Sequence, residues 1–311
     1  MNSITIEEVK ELPKDSYQLI DIRDAESIAH GAIPGAIAAP QEDILSCEEV
    51  DPSKKLVICC SRGKFSVEAA DKLREKGIDA VSLEGGYVAW LMDFMSAPEE
   101  KDVAAEAEQS LRKKFKKTIW SKFAKAINTY ELVKPGDRIA VCISGGKDSM
   151  LMAKCFQELK RHNKFDFEVK FLVMDPGYSP ANRQVIEENA KRLQIPIEIF
   201  ESDIFESVYH VEKSPCYLCA RMRRGHLYHQ AEVLGCNKIA LGHHFDDVIE
   251  TILMSMIYGG QVETMMPKLH SANFPGMQLI RPMYLIREAD IKHWCSYHNL
   301  RFIQCACKFT D

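Results

Sequence analysis

Residues 138–149 read RIAVCISGGKDS, an apolar segment that leads into a loop with two adjacent glycines. The apolar, β-branched run favours a buried strand, and SMLMAKCFQELKR after the loop has helical periodicity. Glycines let a backbone approach an anion, and the first turn of a helix has unpaired N–H donors. We therefore predict a phosphate-binding loop without Walker A spacing, made of Ser144, Gly145, Gly146, Lys147, Asp148 and Ser149.

Strand-like and helix-like segments alternate on both sides of this loop. The strand-like segments are YQLIDI, KKLVICC, RIAVCIS, EVKFLVM, IPIEIF and NKIALGH. The helix-like segments after the loop are SMLMAKCFQELKR, NRQVIEENAKRLQ, CARMRRGHLYHQAEVLG and DDVIETILMSMIYGG. This alternation predicts an α/β fold whose larger part is a doubly wound parallel sheet.

The length of 311 residues and the 46% hydrophobic content are typical of about two domains. Residues 97–110, APEEKDVAAEAEQS, are acidic and poor in large apolar side chains, which is typical of a linker or a solvated helix. We therefore expect a first domain over residues 1–97, an acidic linker over 98–110 and a second domain over 111–311.

No membrane segment is expected in this sequence. The longest run without a charged residue, 27–41, is shorter than the ~18–20 apolar residues of a transmembrane helix. The N-terminal MNSITIEEVK lacks the apolar core of a signal peptide. We therefore predict a cytoplasmic protein, in which the 11 cysteines favour metal or sulfur chemistry over disulfides.

Charge is distributed unevenly along the chain. Residues 1–109 hold 23 acidic and 11 basic residues, a net charge of −12, whereas residues 110–311 hold 22 and 29, a net charge of +7. The basic part begins with LRKKFKKTIWSKFAK, which has seven Lys or Arg and no acid. This pattern is compatible with a solvated helix face, but it favours contact between the second part and a nucleic acid.

A candidate nucleophile follows the strand LVICC of the first part. Cys60 begins the loop CSRGKFS, which leads into a helix, so several backbone N–H groups can converge on its sulfur and stabilise a thiolate. Gly63 supplies the backbone freedom that a tight loop needs. A cysteine at a strand end is more often a small buried apolar residue, which is what we expect of Cys59.

Residues 1–97 resemble a single rhodanese domain, and the resemblance rests on DIR at 21–23, HGAIPGA at 30–36, CSRGKFS at 60–66 and EGG at 84–86. It implies that Cys60 carries a persulfide sulfur, with Gly63 and Ser66 shaping the loop around it. Phe65 stands where many rhodaneses have arginine. A persulfide donor such as a cysteine desulfurase is therefore expected in preference to thiosulfate.

The SGGKDS loop resembles the PP-loop of N-type ATP pyrophosphatases, which bind ATP and adenylate a substrate oxygen. The resemblance implies an adenine site near Met174, at the end of the second strand. GHHFDD, at 242–247, follows a later strand and opens a helix, so its side chains should face the same crevice. His243 and Asp247 are therefore predicted to contact the cofactor. The His and Asp side chains of this segment could form a metal cluster, but capping and an Mg²⁺-ordered ATP loop are favoured.

PCYLCARMRRG places Cys216 and Cys219 one helical turn apart. Two thiolates at this spacing fit a redox pair, a zinc site or an iron–sulfur cluster, and the metal sites need further ligands. Cys305 and Cys307, in IQCACKF, are the obvious candidates.

PCYLCARMRRG, GHHFDDVIET, YGGQVETMMPKLHS and the IRP of LIRPMYLIRE resemble the TtcA family, the tRNA 2-thiocytidine synthetases, over about residues 111–307. The resemblance implies ATP-dependent replacement of the C2 oxygen of an anticodon-loop cytidine by sulfur. It also implies a [4Fe–4S] cluster on Cys216, Cys219 and Cys305, although the C-x-C spacing leaves Cys307 open. The implied partners are tRNA and a persulfide donor, and a homodimer is compatible with the sequence. Residue type suggests RNA contacts by Trp120, Phe123, Arg223 and Arg224.

Two other functions remain open at this point. A ligase of the lysidine-synthetase kind would also adenylate a tRNA cytidine, but it has no use for Cys60, Cys216 or Cys219. A sulfur-carrier or iron–sulfur module that serves another enzyme would need no ATP, and the intact SGGKDS loop argues against it. Thiolation of another base or of a small molecule is also compatible with the sequence.

Overall fold

The computed structural model describes residues 3–13, 15–41, 44–96, 102–162, 164–204 and 215–302. The chain divides into two compact units. The first comprises Met1–Glu99, Ser179–Val185 and Arg301–Asp311, and the second comprises Glu100–Tyr178 and Ile186–Leu300. Among the described residues, no helix combines the length and apolar character needed to cross a membrane.

The first unit contains a five-stranded, fully parallel sheet with the strand order β1-β5-β4-β2-β3. Its apolar strands form a buried core with one face of the longer helix α3, which agrees with the predicted α/β class. The elements are β1 (Ser3–Ile4), α1 (Ile6–Glu11), β2 (Tyr17–Asp21), α2 (Ala25–His30), β3 (Ile37–Ala38), a 3₁₀ turn (Ile44–Ser46), β4 (Lys55–Cys59), α3 (Lys64–Glu75), β5 (Ala80–Leu83) and α4 (Gly86–Ser96).

The second unit contains a six-stranded sheet with the strand order β10-β11-β9-β6-β7-β8. Five of these strands run parallel, and β10 pairs antiparallel with β11, so the sheet is mixed at one edge. The elements up to β8 are α5 (Val103–Arg112), a π-helical turn (Lys116–Trp120), α6 (Ser121–Thr129), β6 (Arg138–Ile143), α7 (Lys147–His162), β7 (Glu168–Asp175), α8 (Pro180–Arg192) and β8 (Ile197–Glu201). The first half of α8, up to Val185, is assigned to the first unit. They are followed by α9 (Pro215–Val233), β9 (Lys238–Ala240), α10 (Phe245–Gly259), β10 (Lys268–His270), β11 (Gln278–Ile280) and α11 (Glu288–Tyr297).

The acidic segment predicted as a linker contains a packed helix. Ala104, Ala107 and Leu111 of α5 are buried. The hydroxyl of Ser110 accepts a hydrogen bond from Trp294 Nε1 of α11 at 3.1 Å. Alanines at helical spacing form most of this buried face, which lacks most of the large apolar residues that usually identify a buried helix face in a sequence. The helix α5 belongs to the second unit.

The basic run after α5 has one buried face and one lysine-rich face. Phe123 is fully buried and packs edge-to-face on Phe156, with ring centroids 5.5 Å apart, so the predicted RNA contact through Phe123 is wrong. Trp120 is half-buried. The lysines at the opposite face are exposed, namely Lys113, Lys114, Lys116, Lys117 and Lys125.

Candidate functional site

The phosphate loop, residues 144–149, directly follows β6 and includes the first residues of α7, where the sequence predicts it. The hydroxyl of Ser149 donates to the carbonyl of Gly146 at 2.9 Å and accepts from the N–H of Ser144 at 3.2 Å. Ser149 is buried, so its hydroxyl closes the loop from inside and fixes its shape.

The two glycines of this loop have different environments. Gly145 has a φ of +84°, and a Cβ at this position would lie 2.5 Å from Cγ1 of Ile186. A Cβ on Gly146 would meet nothing closer than the hydroxyl of Ser144, at 3.6 Å. Gly145 is therefore required by backbone conformation and packing, whereas Gly146 leaves an open face that an anion can approach.

Lys147 is clamped between two carboxylates. Its Nζ lies 3.2 Å from Oδ2 of Asp148 and 3.0 Å from Oε1 of Glu288, at the start of α11. Burial lowers the pKa of Lys147, but the two carboxylates outweigh it and the pKa is raised. Burial raises the pKa of Glu288, while Lys147 and Lys292 outweigh it and hold the pKa at about 2.

GHHFDD forms the start of α10. His244 is the N-cap, its N–H donates to Oδ2 of Asp247 at 2.6 Å, and its Nδ1 accepts from the N–H of Asp247 at 3.4 Å. The carboxylate of Asp246 accepts from the N–H of Glu288 at 2.7 Å. Capping by Asp247 agrees with the interpretation favoured from the sequence, and Asp246 connects this helix to α11.

His243 is held neutral beside this cap. Burial lowers its pKa to about 4, and the positive charge of Arg281 acts in the same direction. Its Nδ1 is buried and has no hydrogen-bond partner among the described residues. The ring therefore presents an uncharged imidazole near neutral pH.

These elements line one pocket of about 360 Å³ in the second unit. The phosphate loop, the end of β7, the segment after β9 and the helix α9 all contribute to its wall. The residues that line it include Ser144, Asp148, Ser149, Met174, Ala220, Arg223, Arg224, Gly242, His243 and Asp247. Gly145, Gly146 and Lys147 belong to the same loop but are not part of this wall.

The predicted cluster ligands are only partly described. Cys219 lies in the first turns of α9, is half-buried, and packs in an apolar group with Met174. Cys216 lies in α9, but its side chain is outside the described residues, as are Cys305 and Cys307. Within the described ranges, no group of three or more His, Cys, Asp or Glu side chains is arranged to hold a metal ion.

Cys60 lies in a separate site in the first unit, directly after β4. Its Sγ accepts the N–H of Gly63 at 3.2 Å and the N–H of Ser66 at 3.4 Å, and lies 3.2 Å from the Ser66 hydroxyl. Gly86 packs against this loop, since a Cβ there would lie 2.3 Å from the carbonyl oxygen of Cys60. Cys59 is completely buried, as expected.

The sequence motifs assign no role to Glu288 or Arg281, although both belong to the LIRPMYLIRE segment, whose IRP is part of the family resemblance. Arg281 is buried, and its Nη1 donates to the carbonyl of Met266. Glu288, at the start of α11, is far in sequence from Lys147, with which it pairs. Arg281 directly follows β11 and acts electrostatically on His243.

Comparison with sequence families matches two regions of the chain. The model described as a PP-loop domain matches residues 113–307, and the model described as a rhodanese-like domain matches residues 5–93.

Individual relatives match more than half of the chain. A protein of Neisseria meningitidis serogroup C named tRNA-cytidine(32) 2-sulfurtransferase is 37% identical over 58% of this chain and 57% of its own length. A protein of the same name from Acaryochloris marina is 38% identical over 62% of this chain and 69% of its own length. The chain thus spans 57% to 69% of these curated relatives. Among solved structures, the U34-tRNA thiolase NcsA from Methanococcus maripaludis with its [4Fe-4S] cluster has a TM-score of 0.48 and 21% identity over 61% of this chain and 66% of its own.

Proposed function

Because the chain belongs to the PP-loop family and carries a rhodanese-like domain before its PP-loop domain, we propose that it is an ATP-dependent tRNA sulfurtransferase. The proposed reaction replaces the C2 oxygen of an anticodon-loop cytidine by sulfur. The relatives named tRNA-cytidine(32) 2-sulfurtransferase support the choice of base. Since the substrate is tRNA, the proposed location is the cytoplasm.

One observation carries this proposal: the phosphate loop and the helix that bears Cys219 line the same pocket. Asp148 and Ser149 form one wall, and Ala220, the residue after Cys219, forms part of another together with Arg223. A ligase that attaches an amine has no need for cysteines at this position. A carrier of sulfur has no need for a phosphate loop.

The phosphate loop would bind ATP and orient it for adenylation. The N–H groups at the start of α7 and the ammonium of Lys147 would hold the phosphates, and Met174 would contact the adenine. The cytidine C2 oxygen then attacks the α-phosphorus, an O–P bond forms, and pyrophosphate leaves. Arg223 and Arg224 face the same pocket and would orient the negatively charged groups of the RNA and nucleotide.

The sulfur then attacks C2, the C2–O bond breaks, and AMP leaves with the former cytidine oxygen. A sulfane sulfur must gain two electrons to arrive at the oxidation state of sulfide, so a thiol reductant is part of the proposed reaction. His243 lines the pocket and would serve as a neutral hydrogen-bonding group for the base.

The residues present fit an Mg²⁺ ion near the loop. Asp148 Oδ1 is buried without a hydrogen-bond partner among the described residues, and it lines the pocket together with Asp247. Carboxylate oxygens are the ligands that Mg²⁺ prefers, and the ion would neutralise the charge of the pyrophosphate. Asp148 and Asp247 are the residues that would hold it.

A [4Fe–4S] cluster fits the chemistry of the donor set. Three cysteine thiolates, Cys216, Cys219 and Cys305, would hold it and leave one iron able to bind an exogenous sulfur. Cys219 belongs to the same apolar group as Met174, which lines the pocket, and this supports delivery of sulfur to this pocket.

Cys60 would supply the sulfur. Two N–H groups and one hydroxyl converge on its Sγ, and these donors would stabilise the thiolate and the terminal sulfur of a persulfide. The proposed donor is a protein persulfide, such as that of a cysteine desulfurase.

The lysine-rich face of the second unit supports tRNA as substrate. Residues 110–311 carry a net charge of +7, and Lys113, Lys116 and Lys117 are exposed. Lysines on an exposed face bind phosphates without reading the base sequence. The pocket, in contrast, would select the base.

Anaerobic reconstitution with iron and sulfide tests the cluster. Wild type should show the broad absorption and the EPR signal of a [4Fe–4S] centre, and Cys219→Ser should lose both. Cys47→Ser, a half-buried cysteine of the first unit, is the matched control and should keep them. A colourless wild-type protein, or one that holds only zinc, would contradict the cluster.

Incubation with unmodified tRNA, ATP and free sulfide, followed by mass spectrometry of nucleosides, tests the reaction. Wild type should form 2-thiocytidine and AMP, and Lys147→Met should form neither. Cys60→Ala should lose persulfide labelling but keep thiolation from free sulfide. AMP formation that needs free lysine in place of sulfide would favour a lysidine-type ligase and refute the proposal.

A further inference from the structure

A second buried hydroxyl lies behind the one that contacts Cys60. The Oγ of Ser66 is 3.2 Å from the Sγ of Cys60 and 2.8 Å from the Oγ of Ser82 in β5. Ser66 and Ser82 are 0% and 1% exposed, and Cys60 is 4% exposed. Cys60, Ser66 and Ser82 therefore form a continuous buried series of hydrogen-bonding groups, the hydroxyl chain, which runs from the sulfur into the core of the first unit.

Ser82 occupies a position that favours an apolar side chain. It is paired in register with Ile58 of β4, and Ala80 precedes it by two residues in β5. Register partners and residues two apart lie on the same face of a sheet. Ile58 and Ala80 both belong to the apolar core that α3 covers, so Ser82 faces this core as well. A hydroxyl buried among apolar side chains costs free energy unless it is hydrogen-bonded.

The hydrogen bond with Ser66 offsets this cost. In the part of the chain that the structure describes, the Ser82 hydroxyl has no other hydrogen-bond partner. Two buried hydroxyls that bond only to each other could be replaced by two small apolar residues at little cost. A purely structural pair would therefore gain little from its hydroxyls, whereas the contact of Ser66 with the sulfur of Cys60 gives this pair a chemical role.

The protonation state of Cys60 fixes the direction of the hydrogen bonds. A thiolate has no proton, so it accepts from the N–H groups of Gly63 and Ser66 and from the Ser66 hydroxyl. A hydroxyl has one proton, so when Ser66 donates to the sulfur, the bond between the two hydroxyls must use the proton of Ser82. Each bond in such a chain polarises the next, and Ser82 thereby strengthens the bond on the sulfur without touching it.

We propose that Ser82 is a positioning residue of the Cys60 site, which donates to Ser66 and thereby keeps the proton of the Ser66 hydroxyl directed at the Cys60 thiolate. The proposal rests on the persulfide role proposed for Cys60. The thiolate attacks the terminal sulfur of the donor persulfide, a new S–S bond forms, and the donor leaves as a thiolate. A thiol is only a weak donor toward Ser66, so the hydroxyl chain stabilises the ionised sulfur more than the protonated one.

Alkylation with iodoacetamide, followed at Cys60 by mass spectrometry of peptides, tests the proposal because the thiolate is the reactive form. Ser82→Ala should shift the pH profile of the alkylation rate upward by roughly 0.3–0.7 units and slow the reaction at pH 7 about 2–5-fold. Ser66→Ala interrupts the chain at the sulfur. Adding Ser82→Ala to that variant should therefore change nothing further, whereas a loosened core would add its own effect.

Ser82→Thr and Ser82→Val are a matched pair, because the two side chains have nearly the same shape and only threonine has a hydroxyl. Any overpacking in β5 is common to both variants. Ser82→Thr should keep the wild-type pH profile, and Ser82→Val should show the shift expected of Ser82→Ala.

Three results would each overturn the proposal: an unchanged profile in Ser82→Ala, an additive effect in the double variant, or equal profiles in Ser82→Thr and Ser82→Val. Alkylation requires no ATP, tRNA or sulfur donor. Its outcome is therefore independent of 2-thiocytidine formation, which tests the proposed function separately.

Discussion

Replacement of Gly86 by alanine should disturb the loop around Cys60 far more than the same change at Gly35. Both glycines have a positive φ, +59° at Gly86 and +80° at Gly35, and an L-residue in this region costs about 1–2 kcal/mol. A Cβ on Gly35 would meet nothing within 4 Å, whereas on Gly86 it would lie 2.3 Å from the carbonyl oxygen of Cys60 and 2.8 Å from the nitrogen of Gly63. These are backbone atoms that cannot rotate away, so a further ~1–3 kcal/mol of overpacking is expected.

Hydrogen exchange with mass spectrometry measures this difference in the intact chain, because it reports opening of a single segment. Gly86→Ala should lower the opening free energy of the peptides that cover residues 60–66 by about 2–5 kcal/mol, and Gly35→Ala by about 1–2 kcal/mol. Persulfide labelling of Cys60 should fall only in Gly86→Ala. Equal loss of protection in the two variants would refute the packing argument, since it would leave backbone conformation as the whole cost.

Three further predictions concern the second unit. Burial lowers the pKa of His298 from its ordinary 6.5 to about 4. The neutral imidazole therefore contributes its full stabilisation above pH 6.5, and the free energy of unfolding falls by about 1–3 kcal/mol as the pH drops to about 4. Urea unfolding should show a weaker pH dependence of this free energy in His298→Asn. The pKa of Glu288 is lowered to about 2, so this carboxylate stabilises the fold above pH 4.5 and the stabilisation is lost as the pH falls toward 2. Glu288→Gln should remove this pH dependence. Because Lys147 then has one carboxylate partner fewer, calorimetry should show that pyrophosphate binds roughly 3–10-fold more tightly to this variant. Gly145→Ala places a Cβ 2.5 Å from Ile186 at a residue with a positive φ. It should lower the free energy of unfolding by about 2–4 kcal/mol and weaken ATP binding at least tenfold. The control Gly136→Ala has a φ of +80° and open space around the Cβ, so it should lower the free energy of unfolding by about 1–2 kcal/mol and leave ATP binding unchanged.

The parts of the fold that follow from local pattern were predicted from the sequence. The strand, two glycines and helix around Gly145 are contiguous, so their order alone places the phosphate loop. The sequence predicts a linker or a solvated helix at α5, because the buried face of this helix consists largely of alanines such as Ala104 and Ala107, which composition does not identify as core. Strands β10 and β11 have three residues each, too few for alternation to be detected.

Contacts that join distant parts of the chain were not predictable in this way. The pairing of Lys147 with Glu288 depends on how α11 returns to the phosphate loop, and no spacing encodes it. For the same reason, burial of Phe123 against Phe156 was not foreseen. The cysteines Cys216 and Cys219 were recognisable because C-x-x-C is a local pattern, whereas their assembly with Cys305 stays a prediction.

The two ion pairs of Lys147 affect which anions can bind to the phosphate loop. The ammonium is already neutralised by Asp148 and Glu288, so an arriving anion must exchange with two carboxylates before it gains the lysine. Chloride or another singly charged anion offers too little charge for that exchange, whereas a polyphosphate offers several negative oxygens at once. We therefore expect the loop to discriminate between anions by charge, with a nucleotide triphosphate binding more tightly than chloride.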